Sequence, residues 1–264
     1  MNITSRDNSL LRQARAVRDG KVDELIFVEG LRLCVEALKS KLNLEAVIAS
    51  EELIRKDKAA EAFAQLSNAA RRVGTVSEKL LESISYTHTP QGIVVLARRP
   101  EASQQRLASN LKSDPLLVVL HEINNPVNVG AILRTAEAAG ADGIIATKNT
   151  SDPFSPKSLR GAMGSAFRLP IWKQAEFAEV VRWCREREIS LVGTDADATF
   201  KHTDYNWTRA TALVLGPEST GLTSDELKAT DQAVSIPMHG EVESLNVSVA
   251  AGILLYEAAR QRSA

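Results

Sequence analysis

The sequence predicts an α/β protein of two successive units, the second holding a mostly parallel sheet covered on both faces. Three observations carry this reading. Apolar runs of strand length, among them LIFVEG, LEAVIAS, LLVVLH and TALVLG, alternate with helical patterns along most of the chain. Runs apolar at every position fit strands buried on both faces, and strand–helix alternation fits parallel pairing. A polar stretch at 98–115 lacks aromatics and any sustained pattern, so it reads as a linker that is helical in part. With 264 residues, 44% hydrophobic and 25% charged, the chain can bury one large core or two modest ones.

The first unit spans 1–98. A short helical pattern at 8–18 precedes the strand LIFVEG at 25–30, which turns at Gly30 into an amphipathic stretch over 31–40. LEAVIAS at 44–50 is the next strand, followed by one long Ala-rich helix over 51–70, a strand at 71–76, a short helix at 77–84 and the strand GIVVLA at 92–97. The linker occupies 99–114. From 115 the alternation resumes with LLVVLH, a helix over 128–140, GIIAT, a helical segment near 156–164, a helix over 175–188, SLVGTD, TALVLG, a helix over 223–229, AVSIP and a closing helix over 244–262.

Composition excludes several function classes. A net charge of −1 rules out nonspecific coating of nucleic acid, so any RNA site must be a local patch. Cys34 and Cys184 stand far apart with no CxxC or Cys/His pairing, which reads as two reduced core thiols and no metal site. The N-terminus has no apolar signal region and no run reaches about 18 apolar residues, which reads as a cytoplasmic protein without a membrane span. No GxGxxG or P-loop is present, and the four histidines stand beside no nucleophile elbow.

Three clusters carry polar groups that chemistry could use. In LLVVLHEINNPVNVGAILRTAEAAGADGIIAT (116–147), a buried strand feeds an Asn/Pro loop and a helix read as capped by Asn128. Arg134 lies inside that otherwise apolar helix, where it either snorkels to the surface or reaches an anion at the strand ends. In TALVLGPESTGLTSDEL (211–227), a strand stops at Gly216 and Glu218. Gly216 would let backbone approach a ligand closely, although a plain tight turn with a solvated acid explains the pair equally well. In VSIPMHGEVESLNVSVAAGILLYEAARQR (234–262), a strand ends at Pro237 and Ser244 reads as the N-cap of a helix rich in small residues.

In this order, NPVNVGAILRTAEAAGADG, LVLGPESTGL and IPMHGEVESLNVSVA resemble the three motifs of the SpoU (TrmH-like) branch of the SPOUT RNA methyltransferases. The stretches SRDNSLLRQAR and FVEGLRLCVEAL resemble the small α/β RNA substrate-binding domain that many of these enzymes carry, so nearly the whole chain is covered. The resemblance implies a SPOUT methyltransferase domain at 115–264 with a deep trefoil knot, an exception to the rule that chains do not thread their own loops. It implies S-adenosylmethionine as methyl donor, held by Gly216, Ile236, Leu245 and Asn246 with Thr194 and Leu215 nearby. It further implies Asn128, Arg134, Glu218, Ser244 and Asn246 as the catalytic set for methyl transfer to a ribose 2′-oxygen, and a homodimer through the knotted domain.

Arg134 is the family's proposed base, yet a guanidinium gives up its proton with difficulty. The reading preferred here has Arg134 bind the phosphate beside the target ribose while a phosphate or water takes the proton. Glu218 would then order the knot, and Asn128, Ser244 and Asn246 would position the ribose and Arg134. For the RNA, Arg6, Arg12, Arg15 and Arg18 form a basic stripe, with Arg71, Arg72, Arg98, Arg99, Lys157, Arg160 and Arg168 as further candidates. Few aromatics are free to stack on bases, so recognition is expected to lean on shape and phosphates. Large-subunit (23S) ribosomal RNA is the expected substrate. A transfer RNA, or a non-catalytic RNA-binding or ribosome-assembly role on the same fold, are the alternatives.

Overall fold

The structure is a computed structural model and describes residues 1–263. In chain order the elements begin with α1 (Ser9–Arg18), β1 (Leu25–Glu29), α2 (Leu31–Lys39), β2 (Leu44–Ser50), α3 (Glu51–Ile54), α4 (Asp57–Ala69), β3 (Arg72–Val76), α5 (Glu78–Glu82) and β4 (Ile93–Arg98). They continue with α6 (Gln104–Ala108), β5 (Leu116–Leu120), α7 (Pro126–Ala138), β6 (Gly143–Thr147), α8 (Pro156–Ala162), α9 (Ser165–Arg168) and β7 (Ile171–Ala175). The last are α10 (Phe177–Arg185), β8 (Ser190–Thr194), β9 (Thr211–Leu215), α11 (Ser224–Ala229), β10 (Gln232–Val234) and α12 (Val247–Arg262). Two compact units result, one of Met1–Pro100 with Phe154–Arg168, the other of Glu101–Pro153 with the chain from Leu169 onward. The segment 154–168, read from sequence as part of the second unit, thus clusters with the first.

In the first unit the sheet order is β1-β4-β2-β3, antiparallel except for the parallel β2–β3 pair. Phe27, Ile48, Val94 and Leu96 alternate inward along their strands and meet Leu11 and Ala14 of α1 in one core. The single helix expected over 51–70 is two. Ser50 caps α3 by accepting the Leu53 N–H at 3.2 Å, and Lys56 is extended (φ −90°, ψ 119°) before α4 begins. Neither Gly nor Pro marks this break, and alanine-rich propensity runs straight through it. Helix α8 packs against β1, with Phe154, Leu159, Ala162 and Phe167 buried.

The second unit is a six-stranded, wholly parallel sheet of order β10-β8-β9-β5-β6-β7. Strands β5, β6 and β9 are buried at every residue, as their unbroken apolar runs predict. The chain lays down β5, β6 and β7 in one direction, then crosses through α10 to build β8 and the rest on the other side of β5. The strand order therefore reverses between β5 and β9, where open parallel sheets place their ligand crevice. Strand β7 has no counterpart in the sequence reading. Its polar Lys173 and Gln174 interrupt the pattern, Gln174 has φ 60°, and the β6–β7 register shifts there. Cys34 and Cys184 are both free and buried, and burial pushes the Cys184 thiol up to about 12.

Helix α12 packs along α7 and ends in a latch. The Arg262 guanidinium donates to the carbonyls of Trp207 (2.7 Å), Asp114 (2.6 Å), Arg209 (2.6 Å) and Pro115 (3.5 Å). Gln261 joins it, accepting the Trp207 N–H and donating to the Tyr205 carbonyl. The start of α12 is thereby held from its far end, and that start forms part of the site.

Candidate active site

The carboxyl ends of β8, β9 and β10, with the opening of α12, enclose a cavity of about 380 Å³. Thr194, Leu215, Gly216, Ile236, Ser244 and Leu245 all line it, so one pocket gathers these sequence-predicted positions from four separate segments. Leu222, Val234 and Leu254 extend its apolar wall, while Asp195, Asp197, Glu218 and Glu243 bring carboxylates to it. The volume lies in the range of about 300–1,000 Å³ usual for small-molecule sites. An apolar wall with acids suits a ligand that joins a flat ring to positive charge.

Gly216 is required by geometry. A Cβ there would stand 2.8 Å from the Leu222 nitrogen and 2.9 Å from the Gly221 carbonyl carbon. The loop after β9 folds back on itself so tightly that only a bare Cα fits, and this turn lines the cavity. This cradle fits S-adenosylmethionine, which the residues above would hold largely through backbone and apolar contacts.

Beside the cavity runs a chain of oriented hydrogen bonds. The Asn128 amide donates to the Glu218 carboxylate at 2.6 Å, and its carbonyl oxygen accepts from the Asn246 amide at 3.3 Å. The Asn246 carbonyl accepts the Ser248 hydroxyl at 2.6 Å and the Ser248 N–H at 2.9 Å. Each amide is thus fixed in direction by its neighbour, which keeps the loop after β9 and the starts of α7 and α12 in register. Asn128 is buried at 7% exposure, so its paired amide is the arrangement burial demands.

Two expected helix caps are corrected. Helix α7 begins at Pro126, its N-cap being Asn125, which accepts the Val127 N–H at 3.0 Å. Proline suits the first helical position, so Asn128 lies one turn inside and is free to bridge. Helix α12 is capped by Asn246, not Ser244. Ser244 and Leu245 stay in the loop, where they line the cavity. Arg134 is on the exposed face of α7, outside the cavity lining, and makes no hydrogen bond or ion pair among the described residues.

Sequence reasoning missed Ser248 and a histidine bridge. His121, 4% exposed at the end of β5, places Nε2 2.8 Å from Glu226 and Nδ1 3.1 Å from the Thr147 hydroxyl, with its ring against Phe177. Burial opposes ionisation of Glu226, but the Thr223 N–H and His121 hold it below the usual carboxylate range. Thr223 and Glu226 form the capping box of α11, and the spacing T-x-x-E was the available signal. Of the basic stripe, Arg15 donates to the Arg6 carbonyl and Arg18 to Asp19, Ser83 and Ser85. Arg6 and Arg12 are exposed. Among the described residues no group of three or more His, Cys, Asp or Glu could hold a metal ion, and no helix is long and apolar enough to cross a membrane.

Comparison with known proteins identifies the family. The SpoU rRNA Methylase family matches residues 115–256, and the MRM3-like substrate binding domain matches residues 10–95. The chain is 36% identical over 214 residues to the 23S rRNA (guanosine-2′-O-)-methyltransferase RlmB of Bordetella pertussis, covering 80% of this chain and 87% of that one. It is 34% identical over 196 residues to a 23S rRNA (uridine(2479)-2′-O)-methyltransferase of Streptomyces viridochromogenes, covering 72% and 68%. An AdoMet-bound rRNA methyltransferase from Sinorhizobium meliloti superposes with a TM-score of 0.85 at 28% identity over 98% of this chain and 97% of that one. With its motif-bearing loops gathered around one cavity and its full length matched by such proteins, the chain belongs to the SpoU rRNA methylase family.

Proposed function

We propose that this protein is an S-adenosylmethionine-dependent RNA 2′-O-ribose methyltransferase whose substrate is large-subunit (23S) ribosomal RNA. The observation that carries the reading is the Gly216 cradle joined to the Glu218–Asn128–Asn246 chain beside one cavity. S-adenosylmethionine supplies an electrophilic methyl group on a sulfonium. The protein's part is to hold the ribose hydroxyl in line with that methyl and to ease loss of its proton. Arg134, exposed and unpaired, is available to a backbone phosphate beside the target ribose. Asn128 and Asn246 fix the neighbouring loops, Glu218 orients Asn128, and Ser244 reaches the cavity.

The first unit serves as the RNA substrate-binding domain, with Arg6 and Arg12 open to phosphates. A homodimer is part of the proposal, supported by an exposed apolar stripe on α12 of Val249, Ile253 and Tyr256 at helical spacing. Val127 of α7 is exposed on the same helical face as Arg134, seven residues on. The knotted path of the C-terminal segment and a cytoplasmic location belong to the same reading.

The test is transfer of labelled methyl from S-adenosylmethionine to a 23S rRNA transcript and to bulk transfer RNA, followed by mapping of 2′-O-methyl sites in RNA from cells with and without the gene. Methylation of the transcript, abolished in Arg134→Ala, is the expected result. Methylation of transfer RNA alone would move the substrate, and calorimetry that shows no heat of S-adenosylmethionine binding would leave only an RNA-binding role. An Arg134→Ala protein working at wild-type rate would remove Arg134 from the chemistry.

A further inference from the structure

We infer that the first unit carries a nucleotide-binding pocket built jointly by the loop before β4, the start of α2 and helix α8, and that it takes an unstacked nucleotide of the RNA substrate. The inference rests on the proposed RNA methyltransferase reading and places RNA contact away from the α1 stripe. The pocket encloses about 220 Å³ and includes Arg32, Leu33, Tyr86, Gln91, Arg160 and Met163 in its lining. Residues 154–168 belong to this unit, so the site lies within one compact body.

Each part of it is of the type that recognises a nucleotide. Tyr86 is 45% exposed, an aromatic face in a chain with few to spare. The ring is presented by a loop that Glu29 ties down: its carboxylate accepts the Tyr86 N–H at 2.8 Å, the Thr87 N–H at 3.2 Å and the Thr87 hydroxyl at 2.7 Å. The one acid lining the pocket is therefore occupied with backbone and hydroxyl donors. Arg32 and Arg160, on helices from distant parts of the sequence, are exposed and make no hydrogen bond or ion pair among the described residues. The Gln91 amide lies so close over Gly30 (φ 100°) that a Cβ there would stand 2.6 Å from Gln91 Oε1. Gly30 thus admits the amide, whose donor and acceptor are otherwise unbonded and suit a base edge.

The combination favours RNA over a protein partner. An aromatic face stacks on any base, an amide reads its edge, and two arginines take flanking phosphates. In contrast, Arg18 of the α1 stripe already donates to Asp19, Ser83 and Ser85, and Arg15 donates to the Arg6 carbonyl and is partly buried.

The test uses the full chain and a 23S rRNA transcript, comparing wild type with Tyr86→Ala, Tyr86→Phe, Arg32→Gln and Arg160→Gln. Tyr86→Ala is expected to weaken transcript binding about tenfold, with Tyr86→Phe retaining affinity, because stacking needs the ring and not the hydroxyl. Each arginine substitution should lower the slope of log affinity against log salt by about 0.7–0.9, the share of one phosphate. S-adenosylmethionine affinity by calorimetry should not change in any variant, which also reports that each is folded. If the wild type binds and methylates the transcript and Tyr86→Ala does so within twofold, the pocket proposal is overturned while the enzyme reading stands. A wild type that binds S-adenosylmethionine but no RNA would overturn both, whereas photo-crosslinks at 86–91 that capture protein and never nucleotide would overturn the pocket proposal alone.

Discussion

At the scale of single residues, the site depends on directions that side chains impose on one another. Asn128 donates to Glu218 and accepts from Asn246, while Ser248 decides which way Asn246 faces. Gly216 contributes the absence of a side chain. Gly216→Ala would drive a methyl into the backbone at Gly221 and Leu222 and push the loop into the cavity. Calorimetry on that variant should show S-adenosylmethionine affinity lowered at least about tenfold, the cost of displacing backbone in a close-packed cradle. Unchanged affinity would mean that the cavity is not the donor site.

At the scale of elements, the C-terminal end of α12 makes two separate predictions. Arg262 satisfies four carbonyls from two segments, 114–115 and 207–209, so Arg262→Ala should destabilise the fold by about 2–3 kcal/mol, read from urea denaturation. Glu257, bonded by Arg260 and Gln261, has its carboxyl held at about 2. A depressed folded value contributes stability above the ordinary carboxylate range that is lost as pH falls toward 2. The melting-temperature gap between wild type and Glu257→Gln should accordingly be constant above about pH 4.5 and close below it. Apolar runs made β1, β2, β4, β5, β6, β8 and β9 legible in the sequence, since burial on both faces leaves no room for polar residues. Strand β7, at the sheet edge with Lys173 and Gln174, carries no such signature. The caps were misread because Asn125, Asn128, Ser244 and Asn246 are all competent cap residues, and only the three-dimensional path decides which one meets a free N–H. The cavity residues Gly216, Ile236 and Leu245 could be named together only through the family's motifs, because they lie on three segments whose meeting no local pattern encodes. The sequence shows His121 only as one of four histidines beside no nucleophile elbow. Its partner Glu226 is 105 positions away, beyond the reach of any spacing rule.

At the scale of the whole molecule, the exposed Val249, Ile253 and Tyr256 predict self-association. Sedimentation of Ile253→Glu should give a monomer where the wild type gives a dimer, with S-adenosylmethionine affinity as a check on folding. A wild type that sediments as a monomer would discard the proposed dimer. The path of the chain has a practical consequence as well. It leaves the first unit at Pro100, returns at Phe154 and departs again after Arg168, so no single scission releases that unit whole. A truncated fragment ending near residue 100 would leave the α8-facing side of β1 bare and lack Arg160. Anyone grafting this RNA-reading module onto another methyltransferase must therefore transplant two pieces of polypeptide, and a chimera that carries only the first should come out of the cell insoluble.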